Sequence, residues 1–521
     1  MTAGLVNTPA EKDMKVHHGG AILLVKIGTH PKLTEIVPRL QELLPQTKFY
    51  GIQAQGAPEA KSYEVVAQEN ELLLGAFDDW WQRQLYVEPD LYIKVMTRES
   101  QLLRMTQRVI DHDLFSLKRP NFPTGKRFES FEGRRQLLLR QVAFWDFVFR
   151  HHNISAVVTQ NLPHNFWDAV LQVVAEAREI PYLCFHEVRP FLGSLYVYEH
   201  PSAMGNLEFG RRLIDLTHQK LGLSDNSASR RDRMLQQVAL IDLQKSRRSG
   251  NTRSRSVIEK LSRLSYGQRH LIPKIVRSIR RRVEVYKSRR ETIKLFLVDE
   301  IPERYFLIEL QPASNATSLM KGFMYGDARE LIAHIAHNLP SGYSLVVKES
   351  SREQVKYRPR RESFWQQVVS LPSVVLVHAD ANTDVLLKDA AGLIEVGYSS
   401  LVLQALHIGT RVVILGQSHL PSLPGLQRVA SHDDLGSALQ SFIDSSEAGP
   451  SSSEELKQSL LEWCDETQAA TLEGALSSFP KNLVDEGEYR ARVVRNVAGL
   501  IATWYSLIAM RERPIEGESV D

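Results

Sequence analysis

From Arg304 to Leu415 the chain alternates short runs of β-branched and aromatic residues with amphipathic stretches. Arg304–Leu310 (RYFLIEL), Tyr343–Lys348 (YSLVVK), Val374–His378 (VVLVH), Gly392–Val396 (GLIEV) and Arg411–Leu415 (RVVIL) read as strands, and Ile293–Asp299 (IKLFLVD) as one more ahead of them. Asp327–Leu339, Ser363–Ser370, Thr383–Ala390 and Ser399–His407 read as the helices between. Parallel strands need a crossover, usually a helix, and strands covered on both faces carry nearly continuous apolar runs. The pattern therefore predicts a doubly wound α/β domain over residues 295–480. Open sheets of this kind bind ligands beyond the carboxyl ends of their strands. The residues just after each run are thus the first candidates for chemistry.

The same unit occurs near the N-terminus. Ala21–Ile27 (AILLVKI) reads as a buried strand, followed by Gly28-Thr29 and a helical stretch over Leu33–Leu44. Farther on, Ile154–Thr159, the loop Gln160–His164, the helix Phe166–Arg178 and the strand Ile180–Phe185 form a second crossover. The aromatic, charged region between them is expected to be helical. These elements predict a Rossmann-like domain over residues 1–204, an α/β unit like the second one. Residues 205–294 lack a strand signal and are expected to form a basic helical and loop insert; residues 422–478 are expected to be largely helical, and 481–521 to hold a closing helix at Glu486–Met510. A chain of 521 residues suits two or three domains.

A net charge of +3 conceals a division. Lys245–Lys294 holds 17 basic and 3 acidic residues, a local +14, which leaves −11 for the rest. Such a segment suits an anionic membrane surface. It also suits a plain solvated helical face, and both readings stay open. Its aromatics are few (Tyr266, Tyr286), which disfavours stacking on single-stranded nucleic acid. The N-terminus lacks a basic stretch followed by an apolar one, so no signal peptide is expected. The apolar stretch Asn496–Met510 would span about 22 Å as a helix, short of the ~30 Å bilayer core. Two cysteines, Cys184 and Cys464, exclude a disulfide framework and a four-cysteine metal site. No phosphate-binding GxxxxGK[ST], GxGxxG, GxSxG or HExxH pattern occurs. The expectation is a protein of the cytoplasm, with peripheral attachment to a membrane left open and with no resident cofactor or metal.

Candidate site residues follow the strands. Gln311-Pro312 closes one run, and its amide can both donate and accept. Lys348-Glu349 closes the next, with Lys348 a point charge for a phosphate. Gly397 permits close backbone approach after Gly392–Val396. Ser399 and Ser400 open the following helix, where unpaired N–H groups favour an anion, although Ser is also an ordinary helix cap. In the first domain His164 and Glu187 each follow a strand, and either suits a general base, or Glu187 a nucleophile. The pair Asp78-Asp79 ahead of Trp80-Trp81 reads as a helix start.

From Tyr305 to Gly416 the sequence resembles the bacterial capsule polysaccharide biosynthesis family, which includes β-Kdo transferases. The resemblance rests on Glu309-Leu310-Gln311-Pro312, on Leu339-Pro340-Ser341-Gly342 leading to Val346-Val347-Lys348-Glu349, on Leu371-Pro372-Ser373-Val374, and on Gly397 to Gly409 around Ser399, Ser400 and Gln404. It implies two Rossmann-like domains in a GT-B-like plan and a metal-independent glycosyltransferase. The donor would be a nucleotide-sugar, CMP-linked by preference, and the acceptor a glycan or glycolipid at the inner membrane. Gln311, Pro312, Lys348, Glu349, Gly397, Ser399, Ser400 and Gln404 would hold the nucleotide. Two positions differ from the family pattern: Ser350-Ser351 replaces a His-Pro pair, and Gln404 replaces a Glu. A UDP- or GDP-sugar transferase and an inactive scaffold of the same fold are the alternatives.

Overall fold

The computed structural model describes residues 20–27, 33–53, 63–68, 87–103, 130–163, 166–187, 194–200, 207–222, 294–298, 300–311, 327–349, 362–397, 399–416, 425–429, 431–447, 471–473 and 486–511, with single positions such as Leu72, Arg360 and Ser418. The chain forms two compact units. Residues 1–103, 131–235 and 464–521 make the first, and residues 104–130 and 236–463 the second.

The first unit is built on a seven-stranded sheet. Its strands are β1 (Ala21–Val25), β2 (Lys48–Gln53), β3 (Glu64–Gln68), β4 (Ile154–Thr159), β5 (Tyr182–Glu187), β6 (Ser194–Tyr198) and, from far along the chain, β13 (Thr471–Glu473). Their order is β3-β2-β1-β4-β5-β6-β13, parallel except where β6 meets β5 and β13. The helices are α1 (Ile36–Leu43), α2 (Pro89–Met96), α3 (Phe131–His151), α4 (Phe166–Ala177), α5 (Glu208–Leu221) and the closing α11 (Glu486–Arg511). Side chains alternate across a sheet. Ile22, Leu24, Ala156, Val158, Leu183 and Phe185 thus face α1, α5 and α11 in one apolar core. Gly210 lets α5 lie on β6, since a Cβ there would stand 2.6 Å from the Val197 carbonyl oxygen.

Three sequence expectations change here. Residues 471–473 lie within the stretch assigned to the second domain, yet they hydrogen-bond to β6 of the first sheet. The closing helix is no separate segment, because Val493, Val497, Ile501 and Trp504 are part of the first core. The stretch 205–294 also begins inside the first unit, with Leu213, Ile214 and Leu221 of α5 in that same core. The basic run Lys245–Ile293 lies outside the described residues.

The second unit repeats the plan. Its strands β7 (Tyr305–Leu310), β8 (Ser344–Glu349), β9 (Val374–Val377), β10 (Gly392–Val396), β11 (Val412–Leu415) and β12 (Leu426–Val429) stand in the order β9-β8-β7-β10-β11-β12, parallel throughout. In both sheets the chain winds outward from a central strand, returns to that strand's other side and winds outward again. This is the doubly wound Rossmann-like arrangement, with its switch point at β1/β4 in one unit and at β7/β10 in the other. Helices α6 (Ala328–His337), α7 (Glu362–Val369) and α10 (Leu435–Glu447) cover one face through Ile332, Ile335, Trp365, Val368, Leu439 and Phe442. Helices α8 (Thr383–Asp389) and α9 (Ser400–Ile408) lie on the other, where the Tyr305 hydroxyl donates to the Leu386 carbonyl at 2.8 Å. Of the expected strand Ile293–Asp299 only residues 294–298 are described, and they form no strand; Leu297 makes a single bridge to Leu376 of β9.

Candidate functional site at the second switch point

The carboxyl ends of β10, β7 and β8 are neighbours in the sheet, and charged residues collect there. Glu309, Lys348 and Glu395 occupy alternate positions to the core-facing Ile308, Val347, Ile394 and Val396, so all three project toward the α8–α9 face. The register sets Glu309 opposite Lys348, and Lys348 Nζ donates to Glu309 Oε2 at 3.0 Å. Lys348 is buried, so this pair neutralises most of its charge locally. That differs from the sequence picture of a lysine waiting for a phosphate.

Gln311 crosses the switch point. Its Nε2 donates to Glu395 Oε1 at 2.6 Å, and its carbonyl oxygen accepts from Arg360 Nη2 at 2.8 Å. Arg360 also binds Glu349 Oε1. One chain of hydrogen bonds therefore runs Glu349–Arg360–Gln311–Glu395 over the ends of three strands. Glu349 and Glu395 are buried, and the second carboxyl oxygen of each has no hydrogen-bond partner. Burial in first place, and the negative charge of Glu309, push the Glu395 carboxyl up to about 8. The Gln311 amide and the Ser399 hydroxyl work against that shift. Ser399 does so by proximity, since no well-formed bond reaches Glu395 Oε2.

Ser399 caps α9, its Oγ accepting from the Leu401 N–H at 3.1 Å. The helix starts one residue later than expected, at Ser400, and ends at Gly409 with φ of 96°. Gly397 has φ of 69°, a left-handed conformation that favours glycine, and its N–H donates to the Leu415 carbonyl at 2.8 Å. Gln404 faces inward and donates to Asp384 of α8, so its amide braces α9 against α8. Of the expected nucleotide residues, Gln311, Lys348, Glu349, Gly397 and Ser399 thus come together. Gln404 is engaged elsewhere, and the Ser400 side chain and Pro312 lie outside the described residues.

In the first unit Glu187 ends β5 and is buried. His164 lies outside the described residues, as do Asp78 and Asp79. Cys184 is no nucleophile in waiting: burial pushes its thiol up to about 12. Lys26, directly after β1 at the first switch point, has φ of 64° and holds its ammonium 5.1 Å from the Trp167 ring centre. The sequence reading places it inside the buried strand Ala21–Ile27 and gives it no role. It also passed over Glu309, Glu395 and Arg360. The signal for the two glutamates was present, because a carboxylate inside YFLIEL or GLIEV must be buried and compensated. Arg360 carried no such signal.

Among the described residues no group of His, Cys, Asp and Glu is arranged to hold a metal ion, and no helix is long and apolar enough to cross a membrane.

A doubly wound pair of α/β units with a polar cluster at a switch point defines a class of ligand-binding proteins. The family described as "Capsule polysaccharide biosynthesis protein" matches residues 170–434, just over half of the chain. The chain belongs to that family. No curated protein matches it. Among solved structures it is similar to a UDP-GlcNAc 2-epimerase from Neisseria meningitidis bound to UDP-GlcNAc, at 11% identity and a TM-score of 0.22, over 85% of this chain and 100% of that one. It is similar to the UDP-GlcNAc 2-epimerase from Methanocaldococcus jannaschii, at 11% identity and a TM-score of 0.23, over 81% and 92%. It is also similar to the calicheamicin glycosyltransferase CalG4, at 11% identity and a TM-score of 0.22, over 87% and 96%. TM-scores of this size carry no inference about the present chain.

Proposed function

We propose that the chain is a GT-B-like glycosyltransferase of bacterial surface polysaccharide synthesis. It takes a sugar from a nucleotide-activated donor, CMP-linked by preference, and passes it to a glycan or glycolipid acceptor. The observation that carries this reading is the convergence of Gln311, Ser399 and the α9 N-terminus on one switch point, in a member of the capsule synthesis family. The α9 N-terminus supplies N–H groups and a partial positive charge for a phosphate. The Gln311 side chain is held by Glu395 and its main-chain carbonyl by Arg360, so the amide meets a ligand already oriented. Gly397, Ser400, Pro312, Lys348 and Glu349 complete the proposed nucleotide site, and Gln404 supports it by bracing α9 against α8.

In this proposal the first unit takes the acceptor. Glu187 or His164 is the base that accepts the acceptor hydroxyl's proton, or Glu187 the nucleophile. The basic segment 245–294 rests on anionic lipid at the cytoplasmic face of the inner membrane, which places the enzyme near a lipid-linked acceptor. Metal is not required for this chemistry, since the helix N-terminus answers the phosphate charge.

A nucleotide panel in a thermal-shift assay tests the reading. A ligand at 100 times its Kd stabilises by about 2.7 kcal/mol. CMP is expected to raise Tm and UDP and GDP to leave it unchanged. A response to UDP or GDP instead assigns the other donor class. No response to any of them favours the inactive scaffold, a reading that the Lys348–Glu309 pair and the Ser350-Ser351 replacement support.

A further inference from the structure

The buried carboxyl of Glu395 has two unlike oxygens. Oε1 accepts the short bond from Gln311 Nε2 and so has the role of the carbonyl oxygen. Oε2 has no hydrogen-bond partner, on a residue only 1% exposed. An acceptor without a donor in such a place is costly, and so is an unpaired charge. The cost falls if Oε2 carries a proton and meets an acceptor. The neighbours agree. Glu309 on β7 is the acidic group acting on Glu395, and Lys348 on β8 is already paired with it. Beside it in register on β11 stands the apolar Ile414. On the helices of that face, Gln404 of α9 is bonded to Asp384 of α8, and His407 lies in the last turn of α9, away from Ser399. Among the described residues, therefore, no cation pairs with Glu395. An acceptor that would fit is an oxygen of an anion received at the α9 N-terminus, where Ser399 caps the helix close to Glu395.

We propose that Glu395 binds the donor nucleotide as a neutral carboxylic acid, its Oε2–H donating to a phosphate oxygen held at the N-terminus of α9. This rests on the donor-site reading above and adds a residue and a proton to it. The acid form also removes a conflict, because a carboxylate in that position would repel the phosphate. Nucleotide affinity therefore depends on one proton that Glu395 loses as pH rises. With a carboxyl that titrates near 8, affinity falls about tenfold between pH 7 and pH 9, as the protonated fraction falls.

The test is calorimetry of CMP and of cytidine on the full-length protein at pH 6, 7, 8 and 9, for the wild type and Glu395→Gln. Gln keeps a carbonyl for Gln311 and offers an N–H where the O–H stood. The expected result is a tenfold fall for CMP on the wild type, none for cytidine, and a flat CMP profile for Glu395→Gln. A flat wild-type profile in a protein that binds CMP overturns this proposal alone, and equal slopes for CMP and cytidine do the same, since the proton then serves another part of the ligand. Failure of the wild type to bind CMP, UDP or inorganic phosphate at pH 6 overturns the donor-site reading and takes this proposal with it. Infrared difference spectra of the ligand-free protein give a measurement that needs no ligand. A protonated carboxyl band that vanishes between pH 7 and 9 and is missing in Glu395→Gln supports the proposal; its absence from the wild type at pH 6 overturns it.

Discussion

Gln311 and Glu395 are joined by a 2.6 Å hydrogen bond across the switch point of the second sheet. The bond links the end of β7, where the winding starts, to β10, the strand with which the chain resumes on the other side of β7. These two strands pair through Gly392–Leu393 and Phe306–Leu307, and the side-chain bridge closes over their carboxyl ends. It also ties the site's polar chemistry to the position of Arg360, which holds the Gln311 carbonyl.

The cap of α9 is the most direct point of attack. Ser399→Ala with Ser400→Ala removes the Oγ that accepts from the Leu401 N–H. Loss of a cap costs about 1 kcal/mol of stability. Nucleotide binding is expected to fall at least tenfold, and CMP calorimetry at pH 7 measures it. Unchanged affinity in a folded double variant places the phosphate elsewhere.

Glu395 also shapes stability without any ligand. Its carboxyl is raised from 4.5 to about 8 in the folded protein. The folded state thus holds a proton that the unfolded chain has released. Its contribution is complete below about pH 4.5 and is lost as pH rises through about 8. At 1.4 kcal/mol per unit the upper bound is about 5 kcal/mol. Glu395→Gln is therefore expected to be the more stable protein at pH 8.5, and its Tm should no longer fall between pH 5 and 8 on this account. A variant that melts below the wild type at pH 8.5 contradicts the assignment.

Histidine works in the opposite direction. The rings of His334 on α6 and His432 stack with centres 3.3 Å apart, and burial, then the neighbouring His432, hold His334 below 6.5. Asp433 opposes that shift, and His337 adds to it. The unfolded chain takes up this proton first, so the stabilising contribution is complete above about pH 6.5 and is lost as pH falls through the lower folded value. Melting curves between pH 7 and 5 in the Glu395→Gln background isolate the effect. His334→Gln is expected to flatten the acid limb by about 1 kcal/mol or less, given its partial exposure. An unchanged limb rules the pair out as its source.

Much of the second sheet could be read directly. GLIEV and VVIL are apolar enough to declare a buried parallel strand, and β10 begins and ends where the sequence predicts. Other strands were hidden for physical reasons. KFYGIQ of β2 contains a glycine and two polar ends, and TLE of β13 is three residues long. No local pattern says that β13 belongs beside β6, because a sheet edge accepts a strand from any distance along the chain. The site was half legible for a similar reason. Gln311 and Ser399 stand at strand ends, a position the sequence defines. Glu395 and Arg360 matter through partners 84 and 49 residues from them, Gln311 in each case, and only the fold supplies those.

Asp146 tests the first unit. It lies on α3 with its carboxyl fully buried, pairs with Arg150 at 2.9 Å, and binds Arg178 in the turn after α4. Arg178 also reaches Glu88 at 3.4 Å, ahead of α2. One carboxylate thus joins two helices and the entry to β5. Removing one partner of a buried pair costs about 3–5 kcal/mol. Both arginines keep some access to water, so Asp146→Asn is expected to cost about 2–3 kcal/mol, a Tm drop of about 5–10 °C. Adding Arg178→Met, which removes a cation left without its counter-charge, is expected to recover part of the loss. CMP affinity should stay within twofold, since every residue proposed to hold the nucleotide belongs to the second unit. A double variant less stable than Asp146→Asn would show that Arg178 stabilises through Glu88 instead.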